Sequence, residues 1–185
     1  MMITSIFLSA CAINRTNLET PNLKQTMTPS LQFEVTGYSN GSLMPSKFVT
    51  RDGGGQNVSI GLRWQALPAA ESYALLLDDK HPIANHWVHW LVVDIPNTTT
   101  EITEGASRTD RMPKGSRELR TSWGRTGYDG PEPPVGSGEH EYVATLYALD
   151  VSKLDITEKT THAAFLKTIE SHIIAQESWS GFYER

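Results

Sequence analysis

From residue 30 onward the chain alternates apolar and polar side chains in short runs separated by turn-forming residues, the pattern of strands with one face buried. "LQFEV" at residues 31–35 is the first run, and Gly37 to Gly41 supply turn residues after it. "RDGGGQNVS" reads as a flexible loop, followed by strands in "IGLRWQAL" and "SYALLLDD". The second of these is almost continuously apolar, which predicts a strand covered on both faces. "HWVHWLVVDIP", ended by Pro96, and "HEYVATLYALDV" are further strands. Between them lies a Gly- and Pro-rich stretch, residues 97–139, with no helical stripe; an irregular segment of that length in a compact domain is functional or disordered. The period changes once. In "HAAFLKTIESHIIAQ", Phe165 or Leu166, Ile169 and Ile173 fall at helical spacing, with Gly181 as a stop. No internal repeat is visible. The expectation is a mostly β, mainly antiparallel domain with a helix packed at one end.

At 185 residues the chain suits a single domain with its own core. Residues 1–29 are expected to stand outside it: "AINRTNLETPNLKQTMTP" is polar, carries two prolines and has no apolar periodicity, as a tether or disordered leader does. The single cysteine, Cys11, ends "IFLSAC", which looks like the end of a bacterial lipoprotein signal. A lipidated Cys11 implies a periplasmic or membrane-anchored protein, and an ordinary leader implies a cytoplasmic one. No apolar run approaches the roughly 20 residues that cross a bilayer, so membrane contact is expected only through Cys11. A net charge of -5 disfavours a nucleic-acid partner. Arg108, Arg111, Lys114, Arg117, Arg120 and Arg125 cluster in one Pro/Gly-interrupted segment that reads as a solvated loop able to steer an anion.

The chemistry concentrates in "DDKHPIANHWVHW", residues 78–90. Strand alternation puts Trp87, His89, Leu91 and Val93 on one face and Val88, Trp90, Val92 and Asp94 on the other. His140, Tyr142, Ala144 and Leu146 share a face of a second strand, and Asp79 ends a third. Two strands that open on a histidine and continue apolar form the walls of one cavity with a polar mouth. Four readings fit. Asp79, His81, His86, His89 and His140 could supply metal ligands, but their spacing matches no zinc motif. Asp79 with His89 or His140 could act in acid-base catalysis, although no nucleophile motif accompanies them. Each could be a satisfied core residue. Or the imidazoles and the phenol could donate to an anion, joined by backbone amides of the Gly/Pro loop "GYDGPEPPVGSGEHEY", where Gly127, Gly130, Gly136 and Gly138 allow the angles of an anion nest.

These residues resemble the phosphatidylethanolamine-binding proteins, also called Raf kinase inhibitor-like proteins, in their bacterial branch. Asp79-Lys80-His81 with His89-Trp90 is similar to that family's Asp-Pro-Asp-x-Pro and histidine-tryptophan signature. Gly130 to Tyr142 is similar to its Gly-x-Pro-Pro-x-Gly-x-Gly-x-His-x-Tyr stretch. Asn57-Val58-Ser59 with Leu62 and Trp64, and the ending "SHIIAQESWSGFYER", are smaller echoes. The resemblance implies a β-sandwich with a C-terminal α-helix and a pocket for phosphate, phosphoethanolamine or a similar headgroup, lined by Asp79, Trp87, His89, Pro134, His140 and Tyr142. His81, His86 and Gly130 would stand at the rim. It implies a binding protein without catalytic residues, metal or cofactor. A kinase or protease bound through the outer surface is the alternative partner. Lys80 and His81 replace a proline and an aspartate of the family pattern, and Ile60 replaces a proline.

Overall fold

In the computed structural model, residues 30–185 are described; Cys11 and the expected leader lie outside them. Among the described residues nine strands form two sheets. Glu34–Thr36 (β1), Gly61–Arg63 (β3) and Glu101–Ile102 (β6) make a small antiparallel sheet in the order β1-β3-β6. The larger sheet runs β2-β9-β8-β4-β5-β7, from Ser42–Leu43 (β2), Ile173–Tyr183 (β9), His140–Leu149 (β8), Ser72–Asp79 (β4) and Trp87–Pro96 (β5) to Arg117–Glu118 (β7). Its pairs are antiparallel apart from β2 with β9.

Alternation in the central strand builds two cores. Tyr73, Leu75 and Leu77 of β4 face the small sheet and pack with Phe33, Val35, Leu62 and Trp64. Ala74 and Leu76 face the opposite way, under Phe165 and Ile169 of the helix His162–Ile169 (α1) and Leu154. All eight residues of β4 are therefore buried, as its unbroken apolar run requires.

The helix is shorter than its apparent stripe. Thr161 caps it, its Oγ1 accepting from the Ala164 N–H at 3.3 Å, and the chain leaves helical geometry after Glu170. Ile173 extends the stripe only because it packs on the same outer cluster as Phe165. From Ile173 the chain is β9, hydrogen-bonded along β8 as far as Tyr183. Gly181 is not a helix stop. It lies in β9, where a Cβ would come within 2.5 Å of Met44 Cγ and 2.6 Å of a Tyr38 ring carbon. Among the described residues no helix is long and apolar enough to cross a membrane.

Residues 97–139 are mostly irregular, as expected; Arg108, Arg111, Lys114 and Arg125 are exposed, and the segment is also pinned. Arg117 donates from Nε to Asp94 Oδ2 at 2.6 Å and from its other nitrogens to the carbonyls of Leu154 and Ile156. Arg120 pairs with Glu158, and Arg108 and Arg125 both pair with Asp129. Arg117 fastens the segment to β5, while Arg108 and Arg125 tie it to itself through Asp129.

Candidate functional site

The first-signature residues do not follow simple alternation. Leu77 pairs with Trp90 but Asp78 pairs with Val88, so one extra residue of β5 is accommodated at His89. This bulge sends Val88 to the helix side with Leu91 and Val93, while Trp90 and Val92 join the core between the sheets. The expectation that His89 shares a face with Leu91 and Val93 is corrected accordingly. His89 packs edge-on to Tyr142 with ring centroids 5.0 Å apart, on the side of Asp79 and His140. A second register shift places Asp94 beside Leu154, away from Trp90 and Val92.

Asp79, Trp87, His89, Pro134, His140 and Tyr142 line one pocket of about 280 Å³ at the ends of β4, β5 and β8. Ile83, Ala84, Trp123, Glu132 and Pro133 complete its wall. The pocket is built as a graded hydrogen-bond system. Asp79 is 4% exposed; its Oδ2 accepts from His140 Nδ1 at 2.6 Å and its Oδ1 accepts from the His81 N–H at 2.8 Å. This fixes the His140 ring with Nε2 turned to Ser137 Oγ at 2.9 Å. The Ser137 hydroxyl itself donates to the Pro134 carbonyl. His81 stacks on His140 at 3.9 Å, so it backs the site rather than rimming it.

His89 is held differently. Its Nδ1 donates to the carbonyls of Asp129 at 2.8 Å and Gly130 at 3.1 Å, which fixes the tautomer and leaves Nε2 with no partner among the described residues. Burial pulls its pKa below the ordinary 6.5, against the opposing influence of the two carbonyls and of the Asp79 and Asp129 carboxylates. The ring is neutral at neutral pH. The Tyr142 hydroxyl is buried without a hydrogen-bond partner, and burial, reinforced by Asp79, pushes its pKa far up, so it remains a protonated donor.

The other two rim expectations change as well. Gly130 is a structural close approach: its N–H donates to Asn57 Oδ1, and a Cβ there would sit 1.9 Å from the Phe48 carbonyl oxygen. His86 lies on the opposite side of the sheet, where its Nδ1 is 2.9 Å from Asp78 Oδ2. The metal set read from the sequence is thus split between two faces. The anion nest does not form as expected either, because Gly130, Gly136 and Ser137 spend their N–H groups on Asn57 Oδ1 and on the Arg185 and Pro134 carbonyls.

Sequence reasoning missed Trp123 and Arg185. Trp123 stands edge-on to both Trp87 and His89, at 5.3 and 5.0 Å. It is brought there because Ser122 and Val88 hydrogen-bond reciprocally, the hydroxyl accepting from the Val88 N–H and the Ser122 N–H donating to the Val88 carbonyl. The Arg185 guanidinium lies 3.5 Å from Glu132 in the pocket wall. An aromatic inside an irregular segment and an arginine beyond the last strand carry no local signal of either position.

A family model for phosphatidylethanolamine-binding protein matches residues 34–184. The UPF0098 protein YbhB of Escherichia coli is 33% identical over 149 residues, covering 78% of this chain and 94% of YbhB. LppC, a candidate lipoprotein of Mycobacterium tuberculosis, is 34% identical over 62% of this chain and 53% of its own length. The crystal structure of Escherichia coli YbcL, a member of the mammalian PEBP family, superposes with a TM-score of 0.78 at 27% identity, covering 85% of this chain and 99% of YbcL. Signature motifs, two-sheet architecture and these relatives agree: the chain is a bacterial member of the phosphatidylethanolamine-binding protein family.

Proposed function

We propose that this protein binds a small anionic ligand, a phosphate monoester such as phosphoethanolamine or a similar headgroup, in the pocket of His89 and His140, and that it does so as a binding protein rather than an enzyme. The observation that carries the reading is the gathering of Asp79, His89, His140 and Tyr142 around one pocket, where the Nε2 of a tautomer-fixed His89 has no partner among the described residues. Tyr142 donates to a ligand oxygen. Asp79 orients His140. Trp87, Trp123 and Pro134 wall the less polar part of the ligand.

Neutral His89 offers a lone pair, which repels an anion; the bound anion therefore draws a proton onto Nε2, making a charge-assisted hydrogen bond. The charged or titratable groups around this ring are Asp79, Asp129, Glu132, His140 and Tyr142. Because binding takes up a proton, affinity rises as pH falls, by at most about tenfold per pH unit for one linked proton. Calorimetric titration with phosphoethanolamine is expected to give tighter binding at pH 6 than at pH 8, with a flatter profile in His89→Gln. Equal affinity at both pH values, or no binding at millimolar ligand, overturns the proposal.

The proposal extends to location. The polar leader and the lipoprotein-like context of Cys11, supported by the likeness to LppC, suit a lipid-tethered domain. Cys11→Ser is expected to move the protein from the membrane to the soluble fraction. Continued membrane association of that variant removes the tether.

A further inference from the structure

Asp78 and Asp79 are consecutive in β4 and so face opposite sides of the sheet. Asp79 serves the pocket, and Asp78 meets two other histidines. Its side chain is fully buried; Oδ2 lies 2.9 Å from His86 Nδ1 and 3.4 Å from His162 Nε2. The two rings stack 4.5 Å apart. Asp78 Oδ1 and His162 Nε2 are both buried without a hydrogen-bond partner, so a fully buried carboxylate is left half satisfied beside a nitrogen that makes no hydrogen bond. Such groups are rare in folded interiors and require an explanation.

We infer that Asp78, His86 and His162 form a site for a borderline divalent cation of the Zn2+ class. The donor set is one hard carboxylate and two imidazoles, the mixture such ions take. One ligand atom from each residue lies within 4.8 Å of the other two. Around a tetrahedral ion with bonds of about 2.0–2.2 Å, neighbouring ligand atoms stand roughly 3.3 Å apart, so closure needs shifts of about an ångström or less. The stacked rings must tilt toward the ion, and His86, half exposed, is free to do so. Lys80, whose ammonium now donates to Asp78 Oδ2 at 2.8 Å, must swing out to solvent. The remaining coordination position opens on a cleft edged by Arg120, Lys159 and Thr160, suited to water or a small anion.

Zn2+ alone is the probe, titrated calorimetrically into the full chain carrying Cys11→Ser so that the thiol cannot contribute. One equivalent is expected, with affinity falling by at least about tenfold in His162→Ala and in His86→Ala. Asp78 is fully buried, so the partly exposed His86 carries the test if Asp78→Asn fails to fold. Lys80→Met removes only the competing ammonium and is expected to tighten binding several-fold. His140→Ala, in the opposite pocket, leaves zinc binding unchanged. Co2+ in place of zinc reports the same site by tetrahedral-type visible absorption that is lost in His162→Ala. Absence of zinc uptake at micromolar metal, uptake that survives both His86→Ala and His162→Ala, or loss of uptake in His140→Ala overturns the inference.

Discussion

His89 is 2% exposed, donates Nδ1 to two carbonyls and is neutral at neutral pH, so protonating it in the ligand-free protein works against its surroundings. The folded pKa lies below the unfolded value near 6.5. Its contribution to stability is therefore fully present above about pH 6.5 and is lost as pH falls through the lower folded pKa. Urea midpoints measured between pH 8 and pH 5 are expected to fall on the acid side, less steeply in His89→Gln and less steeply with saturating phosphoethanolamine. Gly130 is the second position where one residue decides the outcome. Any Cβ there meets the Phe48 carbonyl, and Gly130→Ala must displace the same loop whose carbonyl holds His89. A loss of about 1–3 kcal/mol is expected from such overpacking, read as a lower urea midpoint accompanied by weaker ligand binding. The first signature was legible as a histidine and a tryptophan near a strand end, but its orientation was not. The bulge at His89 arises from how β5 pairs with β4, and a single strand's alternation contains no trace of it.

At the scale of elements, α1 and β9 show how a local period misleads. Phe165, Ile169 and Ile173 recur at helical spacing because all three pack on one cluster, although only the first two are helical. The competing signal was present: Ala175, Trp179 and Tyr183 alternate toward the core between the sheets, and Gly181 sits on the same spacing. Pairing with β8 over the length of β9 supplies hydrogen bonds that a longer isolated helix could not match against tertiary burial. The helix matters chiefly as a lid on the outer face of β4. Phe165 is fully buried against Tyr147, with rings 5.8 Å apart. Phe165→Ala is expected to lower stability by about 3–5 kcal/mol, the usual loss for truncating a buried aromatic. Thermal denaturation checks it, and phosphoethanolamine affinity below the transition is expected to stay unchanged because the pocket lies on the other side of the sheet.

Across the whole molecule, the irregular segment acts as a clamp. Asp129 collects Arg108, Arg125 and the Thr121 hydroxyl, and its own backbone holds both the N–H and the carbonyl contacts that seat His89. Asp129→Ala is expected to weaken ligand binding without touching the ligand and to lower stability by about 1–3 kcal/mol through lost buried hydrogen bonds; calorimetry and urea unfolding separate the two effects. Arg108 and Arg125 are exposed, as read from the sequence, and also anchor this clamp; only the fold reveals that Asp129 meets both.

The sequence by itself determined the local features: where apolar alternation makes strands, which strand must be covered on both faces, and where the histidine, Gly/Pro and tyrosine signatures lie. Those follow from side-chain hydrophobicity and backbone freedom within a few residues. Tertiary structure alone decided which side of the sheet each histidine serves. Asp79, His140 and His89 gather on one face and Asp78, His86 and His162 on the other because β4 is threaded between β5 and β8, with one bulge setting the phase. Register between strands is a property of the paired backbones, and no single strand's alternation contains it.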